Sequence, residues 1–138
     1  QADSQTAAGS TTDILLILTR EDAHELRKQP ELENRLDSNG VRLVEVDWAV
    51  PPDMRHYPAE NWCGPQDLIR LHAMALEDYD AVAYYDSDVE LQGDVLPVLR
   101  CAATGRLLTT AGGIGPPLNI GFFAVRPDHR LMSAARSF

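Results

Sequence analysis

Apolar residues in this chain come in short blocks, separated by charged or small polar stretches. The first block, Ile14-Leu15-Leu16-Ile17-Leu18, follows Asp13 and ends at Thr19. A continuous apolar run of that length reads as a buried strand of a parallel sheet, covered on both faces. From Glu21 to Leu36, charged residues enclose Ala23, Leu26 and Leu32, which predicts a helix. Pro30 lacks the N–H that a helix interior requires, so it breaks this helix or divides it in two. Asn39-Gly40 is a turn, and Val41, Leu43, Val44 and Val46 alternate well enough to predict a second strand over 41–46.

Asp47 to Gly64 is rich in proline and aromatic residues and reads as an irregular loop covering part of a site. Pro65 suits the first turn of a helix, and Asp67 suits its positive end. Leu68, Leu71, His72, Ala75 and Tyr79 then recur at helical spacing and predict one buried face. Ala81 to Tyr85 predicts a strand, and Gly93-Asp94 opens a helix to about Ala103 with Pro97 in its first turn. Leu107 to Thr110 is a short strand, Ala111 to Pro117 a loop, and Ile120 to Val125 a further strand. Pro127-Asp128 begins a last helix that runs to the end. This order predicts an α/β fold with a mostly parallel sheet and helices on both faces. Residues 1–12 (QADSQTAAGSTT) are a flexible polar lead-in to a single domain over 13–138.

Composition narrows the field of partners. The 138 residues suffice for one hydrophobic core, and 44% apolar with 24% charged content is ordinary for a globular chain. Twelve basic against 21 acidic residues leave a charge of −9, which argues against nucleic acid or an anionic membrane as partner. That balance still permits a phosphorylated ligand held by a metal and one local cation. Cys63 and Cys101 are too few for a disulfide framework and read as plain buried thiols. No apolar run approaches the ~20 residues of a membrane span. No secretory signal and no N-x-[ST] acceptor is visible.

Candidate chemistry centres on Asp86-Ser87-Asp88, where the run Ala81-Val82-Ala83-Tyr84-Tyr85 stops on two carboxylates. Ligands bind at the carboxyl ends of strands in open α/β sheets. Two like charges that close call for a cation, and oxygen ligands suit Mn²⁺ or Mg²⁺, whose shell a substrate phosphate often completes. In isolation the same residues read first as a capped turn and a solvated charge, but straight after a buried run with two tyrosines the metal reading leads. Arg70 is a cation placed to face a diphosphate, or else a solvated arginine on a polar helix face. Asn119 and Gly121 suit close approach to a ligand, or are simply a turn asparagine and a tolerated glycine. His24, His56, His72 and His129 show no metal spacing, and His72 reads as a core histidine. No P-loop, G-x-S-x-G or C-x-x-C occurs, and Gly112-Gly113-Ile114-Gly115 reads as a flexible loop.

Four segments together resemble one family. Leu18-Thr19-Arg20-Glu21-Asp22-Ala23-His24, Leu68-Ile69-Arg70-Leu71-His72, Tyr84-Tyr85-Asp86-Ser87-Asp88-Val89 and Leu118 to Pro127 are similar, in order, to motifs of the glycogenin-like glycosyltransferases of family 8. The resemblance covers about residues 13 to 135. It implies a Rossmann-like GT-A fold that binds a UDP-sugar and retaining, Mn²⁺-dependent (or Mg²⁺-dependent) transfer of a hexose to an acceptor hydroxyl. By position it implies Asp86 and Asp88 as metal ligands and Leu18 and Thr19 on the uracil and ribose side. It implies His24 near the base, Arg70 at the diphosphate, Ser87 in the donor site, and Asn119 and Gly121 on the sugar or acceptor side. It names no catalytic nucleophile.

The chain departs from the family pattern in three ways. Arg70 stands where the family has lysine, which keeps the charge but changes hydrogen-bond geometry. The segment from the first strand to Arg70 is short, with Pro51 to Pro58 in its middle. The family's later Asp-Gln segment and metal-binding histidine motif are expected beyond Phe138, so the chain reads as an N-terminal portion truncated at its C-terminus. A non-catalytic module that binds the UDP-sugar without turnover is therefore the alternative. A haloacid-dehalogenase-type phosphatase also places D-x-D after a strand, but Glu90 stands where it has Thr or Val. Cytoplasm and Golgi lumen are both compatible with a parent of this kind.

Overall fold

The structure, a computed structural model, describes residues 11–48, 65–111 and 118–135. Most of the expected lead-in, of the proline-rich loop with Cys63, and of the glycine-rich loop lies outside the described residues. The chain divides into two compact units, residues 1–47 and 48–138. One sheet has two strands and the other has three, so the class is mixed α/β.

The first unit runs β1 (Ile14–Thr19), α1 (Arg20–Arg27), α2 (Pro30–Ser38), β2 (Val41–Val46). The two strands pair in parallel, from Ile14 opposite Val41 to Thr19 opposite Val46. Parallel neighbours need a crossover, and the two helices supply it. Thr19 ends β1 and caps α1, its hydroxyl oxygen accepting from the Asp22 N–H at 3.1 Å. Pro30 starts α2, where its missing N–H has no helical partner to lose. Gly40 closes α2 at φ +71°, with its N–H bonded to the Asp37 carbonyl. Ala23 and Leu26, three apart on α1, are buried. β1 is less enclosed than its apolar run predicts: Leu15 to Leu18 are half-buried and Ile14 is 50% exposed. Two strands and one crossover offer too little surface to cover both faces of a strand.

The second unit runs from a 3₁₀ helix (Pro65–Ala75) through β3 (Val82–Tyr85), α3 (Leu96–Ala103), β4 (Leu108–Ala111) and β5 (Leu118–Val125) to α4 (His129–Ala135). Its sheet has the order β3-β5-β4, and both pairings are antiparallel. This corrects the expected mostly parallel sheet, which holds only for β1 and β2. The physical reason for β4 and β5 is chain length. Only residues 112–117 link them, and a parallel crossover needs about a dozen residues or more. Val82, Phe123, Ala124 and Val125 from the sheet, with Ala73 and Ala102 from the helices, are buried. Cys101 on α3 is a free, half-buried thiol. β5 starts earlier than predicted and takes Asn119 into the strand.

The helix before β3 also differs from its prediction. Its period is three, so residues i and i+3 eclipse and Asp67, Arg70 and Ala73 form one row. Arg70 and Ala73 on that row are buried, while Leu68, Leu71, His72 and Ala75 are half-buried. The buried side is therefore rotated away from the stripe that a 3.6-residue period predicts. No helix among the described residues is long and apolar enough to cross a membrane.

Candidate functional site

Three distant segments of the second unit meet at Asp86. β3 delivers it, as the residue that follows Tyr85. Its backbone N–H continues the sheet by donating to the Gly121 carbonyl at 2.8 Å. Its own carbonyl accepts from the Val89 N–H at 3.0 Å, which turns the chain through Ser87 and Asp88. From the 3₁₀ helix, Arg70 Nη1 lies 3.4 Å from Asp86 Oδ1. From two residues back along the strand, the Tyr84 hydroxyl donates to the same oxygen at 2.7 Å. Residues i and i+2 of a strand share a face, so this pairing follows from local geometry.

Arg70 is the one buried charged side chain among the described residues, at 3% exposure. It forms an ion pair with Asp67 through Nη2, and its Nε donates to the Asp67 carbonyl at 2.9 Å. Its guanidinium carbon stands 5.2 Å from the centre of the Tyr84 ring, a cation–π distance. Burial works against the Arg70 charge. The Asp67 hydrogen bond, with Tyr84, Asp67 and Asp86 nearby, outweighs it and raises the pKa above the usual guanidinium value. Tyr84 stacks on Phe123 directly across the sheet, with ring centres 5.3 Å apart. Burial first, and then its bond to Asp86, push the Tyr84 hydroxyl well above its ordinary pKa, while Arg70 pulls the other way.

Gly121 makes this close packing achievable. A Cβ there would lie 2.8 Å from Asp86 Oδ2 and 3.0 Å from Asn119 Oδ1, the first too close to be accommodated without movement. Asn119 Oδ1 instead accepts the Gly121 N–H at 2.8 Å. The β4–β5 register also slips here. Thr109 faces Phe123 but Thr110 faces Asn119, so residues 120–122 of β5 span an irregularity. Such irregularities re-aim side chains and recur beside binding sites.

Arg70, Asp86, Asn119 and Gly121 are thus brought together. Ser87 and Asp88 follow in the turn, both exposed. Leu18, Thr19 and His24 belong to the first unit: Leu18 is half-buried in β1, Thr19 is engaged in capping α1, and His24 is exposed on α1. His72 is half-buried and meets the Trp48 ring edge-on at 5.7 Å. Asp67 and Tyr84 complete the Asp86 network and were not among the sequence candidates. Their signals were present, as an acid three residues before Arg70 and a tyrosine two residues before Asp86.

For a divalent ion the donor set is hard oxygen, which suits Mn²⁺ or Mg²⁺. The Asp86 side chain is 34% exposed, and its Oδ2 has no hydrogen-bond donor among the described residues. Asp86 and Asp88 offer carboxylate oxygens only, half-buried and exposed respectively, which is the donor chemistry such an ion takes. Among the described residues, the one grouping of three or more metal-ligating side chains lies elsewhere, at Glu77, Asp128 and His129. There, His129 Nδ1 already pairs with Glu77 at 2.8 Å, and Arg130 pairs with Asp128. No family model, curated protein or solved structure matches the chain.

Proposed function

We propose that the chain is the donor-binding part of a retaining, metal-dependent glycosyltransferase with a GT-A type fold that uses a UDP-sugar. The observation that carries this reading is the convergence of Arg70, Asp86 and Asn119-x-Gly121 on one point. These residues belong to three of the four segments that resemble the family, and they are far apart in sequence. Asp86 and Asp88 hold the ion, which when bound offsets charge on the departing diphosphate. Asp67 holds Arg70 in place beside Asp86. Arg70 thus acts through the field at the site, balancing carboxylates that would otherwise repel each other and the phosphates. Gly121 leaves room for the Asp86 carboxylate, and Asn119 fixes the Gly121 N–H. Ser87, in the turn after Asp86, joins the donor site. No residue is assigned as nucleophile.

The test is release of UDP from UDP-hexoses in the presence of Mn²⁺, measured for this chain and for any longer protein that contains it. Release that disappears in Asp86→Ala supports the reading. UDP binding without turnover in either protein favours the non-catalytic module. Burst release of phosphate from an aryl phosphate ester would overturn the proposal in favour of a phosphatase.

A further inference from the structure

Asp86 presents two chemically different oxygens. Oδ1 accepts the Tyr84 hydroxyl at 2.7 Å and faces Arg70 Nη1 at 3.4 Å. Oδ2 lies on the Gly121 side, where a Cβ would stand 2.8 Å from it, and it has no donor among the described residues. The Tyr84 ring that carries the hydroxyl is itself fixed, stacked on Phe123 and set beside Arg70. From this geometry we infer that Tyr84 is a positioning residue: it occupies Oδ1 and leaves Oδ2 as the single oxygen through which Asp86 ligates a cation.

The consequence is ion selectivity. Calcium takes six to eight oxygens and often binds both oxygens of a carboxylate. Magnesium-sized ions demand octahedral geometry and accept one oxygen per carboxylate. A carboxylate restricted to Oδ2 favours the smaller ions and denies calcium its two-oxygen mode. Tyr84 therefore biases the site toward Mn²⁺ and Mg²⁺. This rests on Asp86 and Asp88 being metal ligands, as proposed above.

Calorimetric titration with Mn²⁺ and with Ca²⁺, each in the presence of UDP, tests it. The native chain is expected to prefer Mn²⁺ by about tenfold or more, and Tyr84→Phe to weaken Mn²⁺ by about 10- to 100-fold. Because Ca²⁺ gains access to Oδ1, the preference narrows in that variant. An unchanged Mn²⁺ to Ca²⁺ ratio in Tyr84→Phe overturns the role of Tyr84 alone. Metal binding that persists in Asp86→Ala, or is absent from the native chain, overturns the metal site itself and with it this inference. Should Tyr84→Phe fail to fold by circular dichroism, nuclear magnetic resonance of ring-labelled tyrosine in the native chain takes its place. The Tyr84 carbon bearing the hydroxyl is expected to shift with the half-saturation of added Mg²⁺, and an unmoved resonance overturns the inference.

Discussion

The two units differ in how they place charge: both carry exposed ion pairs, but among the described residues only the second buries a charged side chain. In the first, ion pairs lie on the surface: Arg20 with Asp47, Arg27 with Glu45, Lys28 with Glu25, and Arg42 with Asp13. Arg20 and Asp47 are 73% and 75% exposed. Water and salt screen such pairs, so each contributes little. In the second unit, Arg70 is withdrawn from water and placed against Asp67, Asp86 and the Tyr84 ring. A buried cation is costly unless every partner is in place, so loss of any one member of this network is destabilising. Surface pairs leave a fold free to vary, whereas a buried network at a strand's end commits it to one local geometry.

The comparison breaks most readily at its two arginines. Arg70→Ala is expected to cost about 3 kcal/mol, because it leaves a cavity and two unbalanced carboxylates that are only about a third exposed. Arg20→Ala is expected to cost less than about 0.5 kcal/mol. Urea denaturation measures both, and similar costs would erase the distinction. Next in size, Gly121→Ala forces a methyl group against Asp86 and Asn119 and is expected to cost about 2 kcal/mol. Gly93→Ala in the same unit, where a Cβ meets nothing within 4 Å, serves as its control and is expected to be near neutral. In the first unit, Thr19→Ala removes the cap of α1 and is expected to cost about 1 kcal/mol.

A subtler difference emerges only in alkali. The Tyr84 hydroxyl loses its proton later in the folded chain than in the unfolded one, whose value is near 10.0. Its contribution to stability is whole below about pH 10 and fades as pH rises toward the higher folded value. Urea midpoints from pH 9 upward are expected to fall more steeply for the native chain than for Tyr84→Phe. Parallel profiles would mean that the Tyr84–Asp86 bond does not form in solution.

Much of the first unit was legible because its signals are local. The apolar run to Thr19, the break at Pro30, the Asn39-Gly40 turn and the alternation from Val41 each act within a few residues. The β1–β2 pairing then follows, since helices between two strands imply a parallel crossover. The second unit depends on contacts between distant segments. Whether the helix at Pro65 has period 3.0 or 3.6 decides if Arg70 faces inward, and the apolar spacing alone favoured the wrong face. Antiparallel pairing of β3 with β5 could be read only from which strands meet, whereas that of β4 with β5 was open to reading from the short link at 112–117 and was missed. At the site, Asp86, Arg70 and Gly121 were visible as residue types. That Asp67 and Tyr84 hold them went unread: the i,i+3 and i,i+2 spacings were there, but spacing alone does not say which side chains are turned inward to bond.

The most direct test of the account is calorimetric titration of the chain with UDP, with and without Mn²⁺. The account predicts binding that requires the metal and is lost when Asp86→Ala and Asp88→Ala are combined. Binding of UDP without metal, or binding that survives the double substitution, would contradict it.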